Sequence, residues 1–316
     1  MSDKIRPSTI TLPEITPEGI TTILDFFIDR FPFIDRQTWH SRFSTGKVWS
    51  AAGILNPYSP YCPLEKVHYR REVDQEPDVR TDYSTIWEDD DFLVIDKPAN
   101  LPVIPGGPWV RHTLLHLLEQ ATGNTELVPL HRIDRLTSGL VVFSKQKETR
   151  RDLTPLFQAR SRAARALVKK TYTAVCEVRS KIPLDYAVLE HHISRCPQRF
   201  WLEIVTPGEK ANANSIVELI DTYEGLALFR ITPSTGRRHQ IRVQLAAAGF
   251  PIVGDPLYGT EPCKDPGNRG RRMWLDAHRL TVTDFPMRWI GSNLNAQWTS
   301  SRSPEQMLHR AVDITK

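Results

Sequence analysis

The segment HRIDRLTSGLVVFS, residues 131–144, places three polar or charged side chains directly before an apolar run. His131, Arg132 and Asp134 come first, and the Thr-Ser-Gly sequence after them is typical of a turn. The apolar run Leu140–Phe143 predicts a buried strand. Charged side chains beside such a strand are costly unless they are solvated, paired or used in chemistry. The segment therefore predicts a strand end from which a carboxylate projects.

The carboxylate of Asp134 has two interpretations. It can act as a nucleophile or a general base, provided that a nearby cation keeps it ionised. Alternatively, it caps the turn over residues 136–139, which is a common role for aspartate. The neighbouring residues alone do not decide between the two.

A second polar segment, residues 234–259, has the sequence STGRRHQIRVQLAAAGFPIVGDPLYG. We predict a helix over 238–248, in which Arg238 and Arg242 share one face because they are four residues apart. That face borders an apolar stripe, where an arginine tends to need a carboxylate partner. Asp134 is one candidate, and phosphate contact or a solvated helix surface is the alternative. The final GDPLYG is interpreted as a structural turn with a buried aromatic ring.

Basic residues are clustered, although the formal net charge is only +4. Between Lys145 and Lys170 there are nine lysines or arginines and two acidic residues. Further basic positions are Arg237, Arg238, Arg242, Arg269, Arg271 and Arg272. Such clusters suit a polyanion, because neutralised phosphates release counterions. A solvated helix face is the alternative for any one cluster, but three clusters favour nucleic acid.

An aromatic residue accompanies two of these cations in VKKTYTAV, residues 168–175. Tyr172 alternates with neighbours in the manner of a half-buried strand residue. Because Lys169 and Lys170 lie beside it, its ring could instead stack on a base, as aromatic residues do in RNA sites.

The composition excludes several classes of protein. Of 316 residues, 40% are apolar and 25% charged, as in a soluble globular protein. The apolar runs are too short to span a bilayer, and the first residues lack a secretory signal pattern. The four cysteines show no paired short spacing, and no phosphate-binding glycine loop occurs. His131, Asp134, His239 and His278 lack metal-ligand spacing. We expect a cytoplasmic protein with no metal and no membrane partner.

The length of the chain predicts two domains. We expect a flexible tail over 1–17, a small module over 18–80 and a catalytic domain over 81–316, with the polar segment 74–83 at the boundary. The predicted helices are 19–30, 35–44, 112–121, 148–160 and 238–248, and the predicted strands of the large domain are 92–96, 139–144, 171–178, 215–220, 226–231 and 275–282. Irregular alternation of the two predicts an α+β fold with a mixed, largely antiparallel sheet, which the last strand closes.

Four segments, taken in order, resemble the RluA-type RNA pseudouridine synthase family. They are FLVIDKPANLPVIPGG (92–107), HRIDRLTSGL (131–140), VKKTYTAV (168–175) and TGRRHQIRVQLAAAGFPIVGDPLYG (235–259). The resemblance covers roughly residues 84–284, and its specificity comes from the order of the four segments. It implies a pseudouridine synthase fold and an enzyme that isomerises uridine in structured RNA, ribosomal or transfer, without a cofactor or a metal.

The resemblance also implies roles for individual residues. Asp134 corresponds to the catalytic aspartate, Tyr172 to the ring that stacks on the target base, and Arg242 to the partner of Asp134. Arg132 corresponds to the side chain that replaces the flipped-out nucleotide. The family leaves open whether the aspartate attacks C1′ or C6 or removes a proton at C2′. The residues expected to contact RNA are Arg132, Lys169, Lys170, Arg237, Arg238 and His239.

Three positions depart from the family pattern: Asn100 replaces a glycine, Arg238 a small polar residue, and Gln244 a common histidine. None of them is one of the proposed catalytic residues. Residues 18–80 loosely resemble the S4-like RNA-binding module that precedes many such enzymes, on the sequence RQTWHSRFSTGKVWSAAG (36–53). A monomer is the default expectation.

Two other functions stay open from the sequence. An RNA-binding assembly factor on the same fold would bind RNA without modifying it. A metal-dependent nuclease would cleave RNA only with a divalent ion. The set of Asp134, Tyr172 and Arg242 favours the synthase.

Overall fold

The computed structural model describes residues 6–32, 34–71, 73, 75–157, 167–180, 185–197, 199, 201–260, 272–283 and 296–315. The chain divides into two compact units, which are described separately. The first contains residues 1–76 and 107–111, and the second contains residues 77–106 and 112–316. Cys263, Arg269, Arg271 and the last three residues of the predicted helix 148–160 lie outside the described residues.

The first unit combines two helices with a small antiparallel sheet. Its elements are β1 (Ser8–Thr11), α1 (Ile23–Arg30), α2 (Arg36–Ser44), β2 (Val48–Ser50), β3 (Gly53–Ile54) and β4 (Lys66–Tyr69), with the strand order β1-β4-β2-β3. Thr22 and Asp25 form a capping box at the start of α1, and Asp35 caps α2 by accepting from the Thr38 amide. The helices bury Phe27 and Trp39, whose ring centroids are 4.8 Å apart.

The structure differs from the expected flexible tail at residues 8–11. These residues form β1, which pairs with β4 from Ser8–Tyr69 to Thr11–Lys66. Leu12, directly after the strand, is buried in the core of the unit. The strand was missed because a four-residue segment with one apolar side chain gives almost no periodic signal.

The second unit is built on a large sheet. The strands of the second unit are β5 (Ser84–Glu88), β6 (Phe92–Lys97), β7 (Val128–Pro129), β8 (Ser138–Ser144), β9 (Val168–Glu177), β10 (Tyr186–His191), β11 (Ile193–Arg195), β12 (Glu203–Val205), β13 (Ala213–Tyr223), β14 (Leu226–Pro233), β15 (Leu275–Val282) and β16 (Ala296–Thr299), of which β11 and β12 pair only with each other. Its helices are α3 (Leu114–Thr122), α4 (Lys147–Phe157), α5 (Gln240–Ala247) and α6 (Pro304–Thr315). The sheet order is β10-β13-β14-β9-β15-β8-β6-β5, and β16 and β7 pair with β15 and β8.

The strand β15 lies in the middle of this sheet, so the prediction that it closes the sheet was wrong. It runs antiparallel to β9 and parallel to β8, where Asp276 pairs with Ser138 and Ala277 with Gly139. Gly139 has φ +107°, and a Cβ there would lie 2.5 Å from the Ala277 carbonyl oxygen. A glycine is therefore required where the turn after Asp134 enters the sheet.

The two faces of the sheet have different neighbours. On β9, Tyr172, Ala174 and Cys176 point to the side where α5 and Phe250 pack. Alternate residues such as Val175 point to the other side, where α6 packs through buried residues that include Leu308. The sheet is mixed and largely antiparallel, as the sequence predicts for an α+β fold.

Candidate active site

Asp134 lies in the turn that leads into β8. The amide of Thr137 donates to the Asp134 carbonyl, which closes the turn. The side chain of Asp134 is 32% exposed, whereas Thr137, Ser138 and Gly139 after it are buried. The carboxylate therefore projects from the end of a buried strand and keeps one side accessible to solvent.

The guanidinium of Arg242, on α5, joins Asp134 to a second carboxylate. Nη1 donates to Asp134 Oδ2 at 2.9 Å. Nε and Nη2 donate to the two oxygens of Asp255 at 2.7 and 2.8 Å. The Arg242 side chain is only 4% exposed and that of Asp255 is fully buried. Because Asp255 fixes the plane of the guanidinium, Nη1 is aimed at Asp134 before any substrate binds.

Asp255 is a site residue that the sequence analysis missed, because GDPLYG was interpreted only as a structural turn. Its Oδ1 also accepts from the amides of Leu257 and Tyr258, at 2.9 and 3.2 Å. The turn therefore orients a carboxylate as well as a ring. The available signal was an acidic residue in a turn that follows an apolar segment, but its partner could not be identified without the tertiary structure.

A chain of hydrogen bonds reaches Asp134 from the other side. The amide of Glu203 donates to the Tyr258 hydroxyl at 2.9 Å, and that hydroxyl lies 2.8 Å from His239 Nδ1. His239 Nε2 lies 3.8 Å from Asp134 Oδ2. A neutral imidazole with its proton on Nε2 suits both neighbours, because Nδ1 accepts from the hydroxyl and the N–H faces the carboxylate.

The backbone of His239 has the left-handed conformation, with φ +53°. For this reason α5 begins at Gln240, and the predicted helix over 238–248 starts two residues too early. Arg238 consequently does not share a helix face with Arg242. It lies outside the helix, where Nη2 donates to the Trp201 carbonyl and Nη1 lies 3.6 Å from Glu203.

The electrostatics of the site favour an ionised Asp134 and a neutral His239. Burial raises the pKa of Asp134, but the nearby charge and hydrogen bond of Arg242 outweigh it and hold the pKa below its usual value. Burial lowers the pKa of His239 to about 4 against the opposing attraction of Asp134. At neutral pH the site therefore presents a carboxylate, a guanidinium and an uncharged imidazole.

Tyr172 lies on β9 and packs against the apolar cluster around Phe229 and Leu245. It pairs with Ile231 of β14, and its side chain is half-buried. Burial and then the negative charge of Asp134 raise the pKa of its phenol, so the hydroxyl stays protonated. The ring thus lies within electrostatic range of Asp134 with part of its surface accessible.

Lys97 is a second residue that the sequence analysis did not single out. It is completely buried, and its Nζ donates to the carbonyls of Pro98 and Arg135 at 2.9 and 3.2 Å. Burial, helped by the charge of Arg302, lowers its pKa to about 7, while Asp134 opposes that shift. Through the Arg135 carbonyl, Lys97 fixes the backbone immediately after Asp134.

The structure separates the residues expected to contact RNA. Arg132, two residues before Asp134, is exposed to solvent, and so is Arg237, which precedes α5. Lys170 is half-buried, and its Nζ donates to the Phe157 carbonyl at 2.9 Å; burial lowers its pKa to about 8. Lys169 points to the opposite face of the sheet. Consecutive residues of a strand alternate between faces, so the two lysines do not form one surface.

Two departures from the family pattern have physical explanations. Asn100 has φ +63°, a left-handed conformation that asparagine tolerates better than most residues, and its side chain accepts from Arg135. Gln244 is buried, accepts from the Ser215 hydroxyl and donates to two backbone carbonyls. Both positions therefore keep the backbone and the polar contacts around the site intact.

Two features are absent from the described residues. None of the helices in this part of the chain is long and apolar enough to cross a membrane. Within the same residues, no group of three or more histidine, cysteine or acidic side chains is arranged to hold a metal ion.

Sequence comparisons agree with the geometry. The pattern of the RNA pseudouridylate synthase family matches residues 91–247. An uncharacterized RNA pseudouridine synthase of Synechocystis is 31% identical over 240 residues, which cover 75% of this chain and 79% of that protein. RNA pseudouridine synthase 5 of Arabidopsis thaliana is 27% identical over 280 residues, covering 78% and 74%. Ribosomal large subunit pseudouridine synthase D of Nitrosomonas europaea is 36% identical over 210 residues, covering 63% and 57%.

The chain belongs to the RNA pseudouridine synthases. Within that class it belongs to the RluA-type family, which confirms the resemblance stated from the sequence. It is an enzyme that forms pseudouridine in RNA.

Solved structures confirm the fold. Human RNA pseudouridylate synthase domain containing 4 aligns with a TM-score of 0.53 and 21% identity, over 72% of this chain and 93% of that chain. Human RNA pseudouridylate synthase domain containing 1 gives 0.51 and 20%, over 75% and 98%. At this identity the likeness establishes the α+β pseudouridine synthase fold and nothing further.

Proposed function

We propose that Asp134 is the catalytic carboxylate of this enzyme. The observation that carries the proposal is its environment: an ionised, 32% exposed carboxylate held from behind by a guanidinium that Asp255 fixes. All its hydrogen bonds from described side chains reach Oδ2, so Oδ1 is available to a substrate. An ionised oxygen can act as a nucleophile or as a base, as each mechanism considered for the family requires.

The neighbouring side chains then have distinct roles. Tyr172 stacks on the uracil once the nucleotide has left its helix, and Arg132 takes the position that the base vacated. Arg242 keeps Asp134 ionised and oriented. The N1–C1′ bond breaks, the base turns, C5 bonds to C1′ and gives up its proton, and N1 takes up one proton in exchange. The product has the same composition as uridine, so the reaction needs no co-reactant.

The substrate that we propose is a uridine in structured ribosomal or transfer RNA. Support comes from the names of the relatives: some are called ribosomal large subunit pseudouridine synthase D, and a yeast mitochondrial relative is called tRNA pseudouridine(32) synthase. The latter is 32% identical over 56% of this chain. We propose a cytoplasmic location, because the relatives named for the ribosomal large subunit are bacterial proteins.

The first unit is proposed to bind RNA in the manner of an S4-like module. Its two capped helices followed by short strands support this role. Arg36, Lys66 and Arg70 are exposed, and the Arg70 guanidinium lies 5.9 Å from the centre of the Trp49 ring. Exposed cations with an aromatic neighbour are suited to a phosphate backbone and its bases.

The test is pseudouridine mapping of total RNA from cells with and without the gene. The deleted strain is complemented with the wild type or with Asp134→Asn, a variant of nearly unchanged size. We expect the deletion to lose at least one pseudouridine, which only the wild type restores. A site restored equally by Asp134→Asn would overturn the assignment of Asp134. RNA binding by the wild type without modification of any transcript would favour the assembly-factor alternative.

A further inference from the structure

The described residues cover only part of the face of the large sheet that points away from Tyr172. The helix α6 packs over one part of it, around Val175 and Leu228. Beside α6 lies an open cavity of about 560 Å³. Its lining includes Lys169, Thr171, Thr173, Arg230, Thr232 and Thr281. Because these residues alternate with those facing α5, the cavity lies on the opposite side of the sheet from Tyr172.

The cavity carries an excess of positive charge. Lys169, Arg230 and Arg279 line it, against one acidic residue, Glu218, which lies 3.6 Å from Arg230. The Arg230 side chain is nevertheless 52% exposed. Polar residues are usual on the solvent side of an antiparallel sheet, but such faces normally mix both signs of charge. Three cations among threonine hydroxyls instead provide donors for phosphate oxygens.

Exposed apolar side chains continue the same face at the edge strand β10. Tyr186 is 61% exposed, Val188 53% and Ile216 38%. Val188 pairs with Ile216, and Tyr186 pairs with Glu218, which in turn pairs with Arg230. The tyrosine ring therefore lies two strands away from the guanidinium, at a spacing of about 10 Å. An aromatic ring two strands away from a group of cations, with Glu218 between them, can stack on a base while the cations bind phosphates.

We propose that this surface, which we call the open sheet face (Tyr186, Val188, Ile216, Arg230, Lys169 and Arg279), binds a single-stranded segment of the substrate RNA outside the catalytic site. From β10 to β15 it spans four strand spacings, about 19 Å, which accommodates several nucleotides. A flat sheet cannot enter the deep groove of an RNA duplex, whereas splayed bases can lie on it. The identity of the ligand as RNA rests on the proposed function.

The experiment measures the binding of a fluorescein-labelled oligouridylate of about 12 nucleotides to the full-length protein by anisotropy. Lys169→Ala/Arg230→Ala should raise Kd at least tenfold and reduce the slope of log K against log salt by about 1.4, the value for two phosphate contacts. Tyr186→Ala should raise Kd about fivefold or more, and Tyr186→Phe should leave it unchanged, because stacking needs only the ring.

Arg179→Ala is the matched control. Its side chain is also 52% exposed and paired with one glutamate, Glu177, at 3.0 Å, but it does not line the cavity. It should leave Kd and the salt slope unchanged. The same oligomer containing 4-thiouridine is then photo-crosslinked, and the adducts are mapped by mass spectrometry. We expect adducts that fragment ions assign to Tyr186 or Lys169 themselves.

Unchanged affinity in the double variant, or crosslinked residues that include Asp134 or Tyr172 but neither Tyr186 nor Lys169, would overturn the inference. Pseudouridine formation in total RNA from the deleted strain is assayed on the same preparations. If the wild type formed pseudouridine while the double variant bound RNA normally, the open sheet face alone would be refuted. If no RNA were modified but the binding effects occurred as expected, the proposed function would fail and the RNA-binding face would stand.

Discussion

Two ion clusters in the second unit each contain one arginine and two aspartates, but they expose different members to solvent. The Asp134 cluster places Arg242 between Asp134 and Asp255. The Arg302 cluster places Arg302 between Asp96 and Asp276. In the first, the exposed member is a carboxylate, at 32%, while its arginine is 4% exposed. In the second, the exposed member is the arginine, whose side chain is 20% exposed, and the two carboxylate side chains are at most 1% exposed.

The carboxylates of the Arg302 cluster are saturated with hydrogen bonds. Asp276 accepts from the hydroxyls of Ser138 and Ser300, both at 2.6 Å, and Asp96 accepts from the amide and hydroxyl of Ser301. These bonds fasten the segment before α6 to the sheet. Asp134, by contrast, has an oxygen available to a ligand. The difference indicates that a reactive carboxylate is defined by its unoccupied lone pairs rather than by its charge partner.

The largest expected effect separates the two clusters by activity. Asp134→Asn should lower kcat at least ~10²-fold, because it removes the reactive oxyanion. Asp276→Asn should leave the kcat of the folded enzyme within about twofold but lower the free energy of unfolding, because Arg302 and two serines lose an ionised acceptor. Single-turnover kinetics and urea unfolding of both variants provide the measurement. Equal loss of kcat in the two variants would contradict the distinction.

The next effect concerns the stability of the Arg302 cluster. Arg302→Met should lower the free energy of unfolding by about 3–5 kcal/mol, since two buried carboxylates lose their cation. Arg179→Met, which breaks an exposed pair, should cost ~1 kcal/mol or less. The measurement is the urea midpoint at a constant m-value. If the two variants lost equal stability, the Arg302 cluster would not anchor the C-terminal segment.

The pKa values of Asp134 and His239 predict how stability and activity depend on pH. Its folded pKa lies below the unfolded carboxyl value of about 3.9, so its ionised form stabilises the fold above that pH and the contribution is lost as the pH falls through the folded pKa. His239 titrates at about 4. We therefore expect kcat/KM to be flat from about pH 6, below the range in which Lys97 titrates, down to about pH 5, and to lack the inflection near 6.5 of an ordinary histidine. An inflection there that His239→Asn removes would show a charged imidazole in the working enzyme.

Much of this fold follows from periodicity, but the residues that make the site depend on distant pairing. The strand after Asp134 and the strand of Tyr172 were predictable because alternation and turn residues are local signals. The partnership of Arg242 with Asp134 could be suggested because a buried guanidinium needs a carboxylate. Asp255 could not be assigned, since its turn motif gives no indication of which cation it meets.

Other errors have equally physical causes. Lys169 and Lys170 are adjacent in the sequence, and treating them as one RNA-binding pair ignored the alternation of strand side chains that separates them. The helix over 238–248 was extended to Arg238 because no sequence rule marked His239 as left-handed; asparagine and glycine are the usual signals. The Arg302 cluster joins residues more than two hundred positions apart, which no local pattern encodes.

The smallest expected effect tests whether Asp134 needs its second neighbour. Tyr258→Phe removes the hydroxyl between Glu203 and His239 but keeps the ring, whose centre lies 5.2 Å from the Arg242 guanidinium carbon. A lost hydrogen bond of this type is worth about 0.5–1.5 kcal/mol, so kcat should fall roughly two- to tenfold if the imidazole must be held. Tyr61→Phe is the matched control, because it loses a hydrogen bond of similar length to the Pro13 carbonyl in the first unit.

The two variants should therefore lose comparable stability and differ in turnover. Tyr61→Phe should keep wild-type kcat, whereas Tyr258→Phe should lower kcat with little change in KM, because the hydroxyl acts on His239 rather than on RNA. Tyr258→Leu, which also removes the ring beside Arg242, should cost more than Tyr258→Phe. Equal kcat in Tyr258→Phe and the wild type would mean that Arg242 alone positions Asp134. Each of the two ion clusters would then be organised by its arginine only.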